Sequence, residues 1–171
     1  DQQSWSVPHL HDLVIEYADK SHRGKTREEA LFANVPWAEA NKLEKGPAWE
    51  APDVSDETYA DGRVAKEAVE QLAALKEHNQ PFFLAVGFAR PHLPFSVPKK
   101  YWDRYDETEV PMPTVQGSPI KSPHYANKRD GEIVQYAQIP EAAQADPFPD
   151  SLTRKLIHGY YAGVSYVHAQ I

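Results

Sequence analysis

Pro81-Phe82-Phe83-Leu84-Ala85-Val86-Gly87-Phe88-Ala89-Arg90-Pro91-His92-Leu93-Pro94-Phe95 is the stretch on which the reading of this chain turns. Its first half, 82–88, is continuously apolar and about as long as one strand. A run without alternation suits a strand covered on both faces, as in a parallel sheet. Before it, Tyr59, Val64, Ala65, Ala68, Val69, Leu72 and Leu75 recur at three- and four-residue steps within 56–78, which is a helix with one apolar face. Ser55 or Asp56 stands where a cap is needed and Glu57 adds negative charge to the first turn. Pro81 prevents continuation. Helix, tight turn and buried strand make half of a βαβ unit. No partner strand is evident elsewhere in the chain, so the sheet is expected to be incomplete.

Outward from this centre the pattern is less regular. Pro98 opens a short helix through 99–105 by the usual first-turn preference, and 106–149 reads as a long loop rich in Pro, Asp and Gln. A last helix occupies 150–171, with Asp150 or Ser151 as its cap and Leu152, Leu156, Ile157, Tyr160, Tyr161, Val164 and Val167 facing inward. Residues 1–57 read as irregular, apart from a short helix near 26–33. The apolar pattern is still running at Ile171, and an irregular stretch as long as 1–57 is uncommon within a compact domain. The expectation is an internal segment of one larger α/β domain, with the helical faces of 59–75 and 152–167 exposed and self-association as the consequence.

Composition narrows the function classes. The chain of 171 residues has a net charge of −7, which argues against a nucleic-acid surface, since neutralising phosphates needs clustered Lys and Arg. No run of about 18 apolar residues exists to span a membrane, and the first ten residues lack the basic and apolar regions of a signal peptide. With no cysteine, disulfides, thiolate metal sites and a cysteine nucleophile are all excluded from this chain.

The second half of the opening stretch carries the candidate chemistry. Ligands of open α/β sheets bind just outside the C-terminal ends of the strands. Arg90 and His92 stand there, on a loop stiffened by Pro91 and Pro94. A guanidinium offers a fork of donors and an imidazole one N–H, so together they can hold an oxyanion. The plainer reading is a turn whose histidine satisfies a backbone carbonyl. Lys99 and Lys100 add positive potential or simply form a solvated face. His9, His11 and His22 resemble the outline of a metal site but lack a placed third ligand, and His124 and His158 stand alone. No acid/base pair of carboxylates, phosphate loop or serine-nucleophile motif is present.

The strand followed by Arg90-Pro91-His92-Leu93-Pro94-Phe95 resembles a segment of the sulfatases, of the alkaline phosphatase superfamily, and within them the iduronate-2-sulfatase-like branch. Pro98-Lys99-Lys100-Tyr101, Ser4-Trp5-Ser6 and the run Tyr160 to Ile171 resemble that family's neighbouring stretches in the same order. The resemblance implies an alkaline-phosphatase-like α/β domain that hydrolyses sulfate esters, such as those of sulfated sugars, usually in exported proteins. It also implies a formylglycine nucleophile beside a calcium ion. His92 matches the histidine that reaches the substrate sulfate, and Arg90 matches a Lys or Arg position on the substrate side. The family's nucleophile motif and metal ligands have no counterpart in 1–171 and are expected before and after it, so the chain alone is expected to be inactive. His168 stands where the family has Asp. The rival expectation is a non-catalytic module that keeps an anion pocket without nucleophile or metal.

Overall fold

A computed structural model describes residues 5–6, 16–115, 119–123, 125, 131–139 and 148–171. His9, His11, Ser4 and His124 lie outside these residues. The expected short helix is present as α1, Arg27–Phe32, and its cause is local: Thr26 Oγ1 accepts from the Glu29 amide as N-cap and donates to the Glu29 carboxylate, a side-chain cap of the first turn. Two elements not foreseen follow it, the single turn α2 (Trp37–Ala40) and β1 (Trp49–Glu50).

The central helix α3 runs over Ala60–Glu77, later than the pattern suggested, because a 3₁₀ turn at Asp56–Thr58 precedes it. Neither Ser55 nor Asp56 caps it. The Asp56 carboxylate is spent elsewhere, accepting from Tyr101 Oη at 2.8 Å and pairing with Lys100 Nζ at 2.8 Å. Gly62 in the first turn is required by packing: a Cβ there would lie 2.1 Å from the Asp56 carbonyl oxygen.

The buried strand expected over 82–88 is the main correction. Residues 81–89 form no ladder with any described residue, and Phe82, Phe83 and Val86 are 50%, 80% and 41% exposed. Continuous apolarity selects a doubly covered strand only where neighbouring strands exist, and the described residues supply none. Phe83 stacks instead on Trp5, with ring centroids 5.9 Å apart. The sheet that does form is a parallel pair of two-residue strands, β1 with β2 (Phe95–Ser96), in which Trp49 faces Phe95 and Glu50 faces Ser96. Its bonding continues downstream through Val97 N–H to Glu50 O and Lys99 N–H to Pro52 O.

The helix opened by Pro98 is α4, Lys99–Trp102, and ends sooner than 105. The last helix, α5, spans Asp150–Gln170. No side chain caps α5, and its inward face also differs from expectation. His158, Gly159, Ala162, Gly163, Ser165 and Tyr166 are buried, while Tyr160 and Val164 are 46% and 42% exposed. The reason is close packing. A Cβ on Gly159 would meet the Phe95 ring at 2.8 Å, so only a strip of small residues lets α5 approach β2. The strip ends in Tyr166, whose hydroxyl accepts from Gly62 N–H and donates to Asp56 O.

Two apolar clusters result. One joins Tyr59, Val97, Tyr101, Ala162 and Tyr166. The other joins Ala48 to Val134, Tyr136 and Ile139, so part of the segment read as loop, 131–139, is core. Beyond residue 68, α3 has no buried residue, with Val69 and Leu72 exposed. Among the described residues no helix is long and apolar enough to cross a membrane.

Candidate functional site

The loop after 82–88 is held from three directions. Both oxygens of the buried Asp61, in the first turn of α3, accept from the backbone amides of Ala89 (2.8 Å) and Arg90 (2.9 Å). Phe95 N–H donates to Ala48 O at 2.8 Å, fixing the far end. His92 N–H closes a turn onto Ala89 O at 2.9 Å, and the Arg90–Pro91 and Leu93–Pro94 peptides are both cis.

Within this frame the two candidate residues part company. Arg90 points inward. Its side chain is 3% exposed, its Nη2 pairs with the carboxylate of Glu16, itself buried, and its Nε donates to Ser96 O at 3.1 Å. Burial opposes the guanidinium charge, but Glu16 and Asp61 outweigh burial and raise its pKa further. A charge so neutralised has little left for a ligand.

His92 points outward, with a side chain 53% exposed. Its Nδ1 lies 2.7 Å from Leu93 O. A carbonyl can only accept, so Nδ1 carries the proton and Nε2 is the atom presented. Nε2 is 3.3 Å from Glu132 Oε2, an ion pair when the ring holds its second proton. The Phe32 ring stands edge-on to the imidazole.

His92 opens onto a cleft of about 270 Å³ bordered by Arg27, Phe32, Trp37, Glu132 and Gln135. Sequence reasoning found none of these five, because α1, α2 and 131–139 are far apart along the chain and only tertiary packing unites them. The thread is Arg27, 3% exposed, which pairs with Glu28 at 2.9 Å, donates to Gln135 Oε1 at 3.1 Å and lies over the Trp37 ring at 5.7 Å. Tyr136 Oη donates to Glu132 Oε1 at 2.9 Å. Burial first, and then that carboxylate, raises the Tyr136 phenol pKa, so it remains a donor.

The other candidates lie elsewhere. Lys99 pairs with Asp103 and Lys100 with Asp56. His22 packs against the Tyr17 ring. His158 is buried on the Trp102 ring and donates from Nε2 to Trp102 O at 2.8 Å, and His168 is exposed near the end of α5. Among the described residues no three His, Asp or Glu side chains converge as metal ligands would.

Comparison with known proteins gives the family of the chain. Iduronate 2-sulfatase of Mus musculus is 31% identical over 173 residues, covering 98% of this chain and 29% of that protein. The Homo sapiens iduronate 2-sulfatase is 32% identical over 174 residues, with the same coverages. A sulfatase of Formosa agariphila is 28% identical over 123 residues, 72% of this chain and 23% of its own length. The chain thus spans under a third of the length of these curated relatives. The family model for Sulfatase matches residues 15–171, and the chain belongs to the sulfatase family.

Proposed function

We propose that this chain forms a sulfate-binding wall of a sulfuric ester hydrolase, with His92 as its contact to the substrate. One observation carries the reading: His92 presents Nε2 at the mouth of a cleft, with its tautomer set by Leu93 O and its loop tied to α3 and β1. Such fixing is what a donor aimed at an oxyanion requires. Once its second proton is bound, Nε2–H donates to a sulfate oxygen, displacing its contact with Glu132. In this reading Arg90 is a positioning residue. Its ion pair with Glu16 locks the loop that carries His92, and it touches no substrate.

The names of the relatives make iduronate sulfate one candidate substrate, among sulfated sugars and other sulfate esters. A formylglycine nucleophile and a calcium ion belong to the same reading through the family resemblance. This chain has no cysteine, and its described residues assemble no group able to hold the ion. In this reading its own part in the reaction is to bind and orient the ester.

The test is kcat/KM on a sulfate ester, measured with the full-length protein. Loss of one oxyanion donor costs about 10²–10³, and His92→Ala is expected to fall in that range, with partial recovery in His92→Gln. Unchanged hydrolysis in His92→Ala would refute the assignment. Sulfate binding without any hydrolysis in the wild type would leave the non-catalytic anion module.

A further inference from the structure

Glu132 holds the place that an anion on His92 would take. Its Oε2 lies 3.3 Å from His92 Nε2, the ring nitrogen left over once Nδ1 is bonded to Leu93 O. Although its side chain is half-exposed, the carboxylate is anchored. Its Oε1 accepts from Tyr136 Oη at 2.9 Å, and Tyr136 is buried in the cluster with Ala48, Val134 and Ile139. Glu132 also begins the 3₁₀ turn Glu132–Gln135, whose far end is pinned by Arg27 through Gln135 Oε1 at 3.1 Å.

The charges around this point do not compensate a second anion. Arg27 is paired with Glu28, which also accepts from Gly46 N–H at 2.6 Å. Tyr136 stays a neutral donor, because burial and then Glu132 itself raise its pKa. With His92 and Glu132 these are the charged and titratable side chains that line the cleft among the described residues. A sulfate on His92 would therefore leave two anions facing one imidazolium. Sites with two adjacent anions ordinarily resolve the conflict by protonating one of them. A sulfate oxygen is too weak a base to take the proton, and a carboxylate is not. Protonation reverses the role of Glu132: Oε2 gains an O–H that can donate to the anion, while Oε1 goes on accepting from Tyr136.

We propose that Glu132 takes up a proton from solvent when an oxyanion binds at His92, so that the internal competitor of the free protein becomes a second donor to the bound ligand. The inference rests on the reading of His92 as the sulfate contact, and adds that this contact is gated by pH through Glu132.

Calorimetric titration of the full-length protein with inorganic sulfate, in two buffers of different ionisation enthalpy, counts the protons. At about pH 5.5 an ordinary imidazole is already charged and an ordinary carboxyl is not yet protonated. There the wild type is expected to take up about one proton more per sulfate than Glu132→Gln, whose amide mimics the protonated acid. Over about pH 5 to 6.5 the wild-type Kd should rise about tenfold per pH unit relative to that of Glu132→Gln, which binds the tighter of the two throughout. Glu132→Ala should also lose the extra proton, and should bind more weakly than Glu132→Gln because it has no donor to offer. Equal proton uptake in wild type and Glu132→Gln would overturn the proposal, since the carboxylate would then swing aside still charged. So would weaker sulfate binding by Glu132→Gln than by the wild type at this pH. Sulfate binding unchanged in His92→Ala would instead bring down the reading of His92 itself, whereas His92-dependent binding without a Glu132-linked proton brings down the gate alone.

Discussion

His92 and Arg90 lie two residues apart and are turned to opposite sides of one loop, and the physics of each side sets its role. The guanidinium sits between buried carboxylates of Glu16 and Asp61. Removing one partner of a buried ion pair leaves the other charged and unsolvated, at a cost of about 3–5 kcal/mol. Arg90→Met is therefore expected to destabilise the protein by about that much, and Arg90→Met with Glu16→Gln by clearly less than the two single changes added together. Denaturant midpoints of the three variants check it. Strict additivity would show that the pair is not coupled. At Asp56, burial opposes the carboxylate charge, but bonds from Lys100, Tyr101 and Gln170 outweigh it and hold the pKa below the ordinary 3.8. A depressed folded pKa stabilises above the ordinary value and is lost as pH falls through the folded one. Asp56→Asn should accordingly flatten the acid limb of the stability curve and leave its neutral branch parallel to wild type, as urea melts at a series of pH values would show.

At the scale of elements, the approach of α5 to β2 depends on small residues. A Cβ on Gly159 would sit 2.8 Å from the Phe95 ring, and overpacking of this kind costs about 1–3 kcal/mol. Gly159→Ala should lower stability by that order, whereas Gly87→Ala, where a Cβ meets nothing within 4 Å, should not. Equal melting temperatures for the two variants would contradict the packing argument. The same elements show what the sequence makes legible. Helix periods in α3 and α5 and the Thr26 N-cap are local, so they are readable without tertiary information. The inward face of α5 was not, because it is lined by Gly, Ala, Ser and a hydrogen-bonded Tyr rather than by the most apolar residues. The proline-flanked loop that carries His92 was legible from its place after an apolar run. Trp37, Glu132 and Arg27 were not, since their meeting depends on contacts such as Arg27 to Gln135 across more than a hundred residues.

At the scale of the whole molecule, the exposed surfaces of 82–88, α3 and α5 stand out. Phe83 is 80% exposed and Val69 66%, with Leu72, Tyr160 and Val164 each above 40%. Where such exposed apolar side chains adjoin, they mark an interaction site or an association liability. The chain belongs to the sulfatase family, whose curated members here are more than three times longer. We propose that the 171-residue chain by itself self-associates through these exposed surfaces, and that Phe83→Asp combined with Val164→Asp reduces this. A monodisperse monomer by light scattering at high concentration would rule it out.

The central claim is that His92 binds sulfate, and the measurement that meets it most directly is an NMR titration of the full-length protein with inorganic sulfate, following the His92 ring nitrogens. The account predicts a saturable shift at Nε2, little change at Nδ1, which stays bonded to Leu93 O, and loss of binding in His92→Ala but not in Lys100→Ala. Sulfate binding of equal strength in wild type and His92→Ala, with the His92 resonances unmoved, would contradict it.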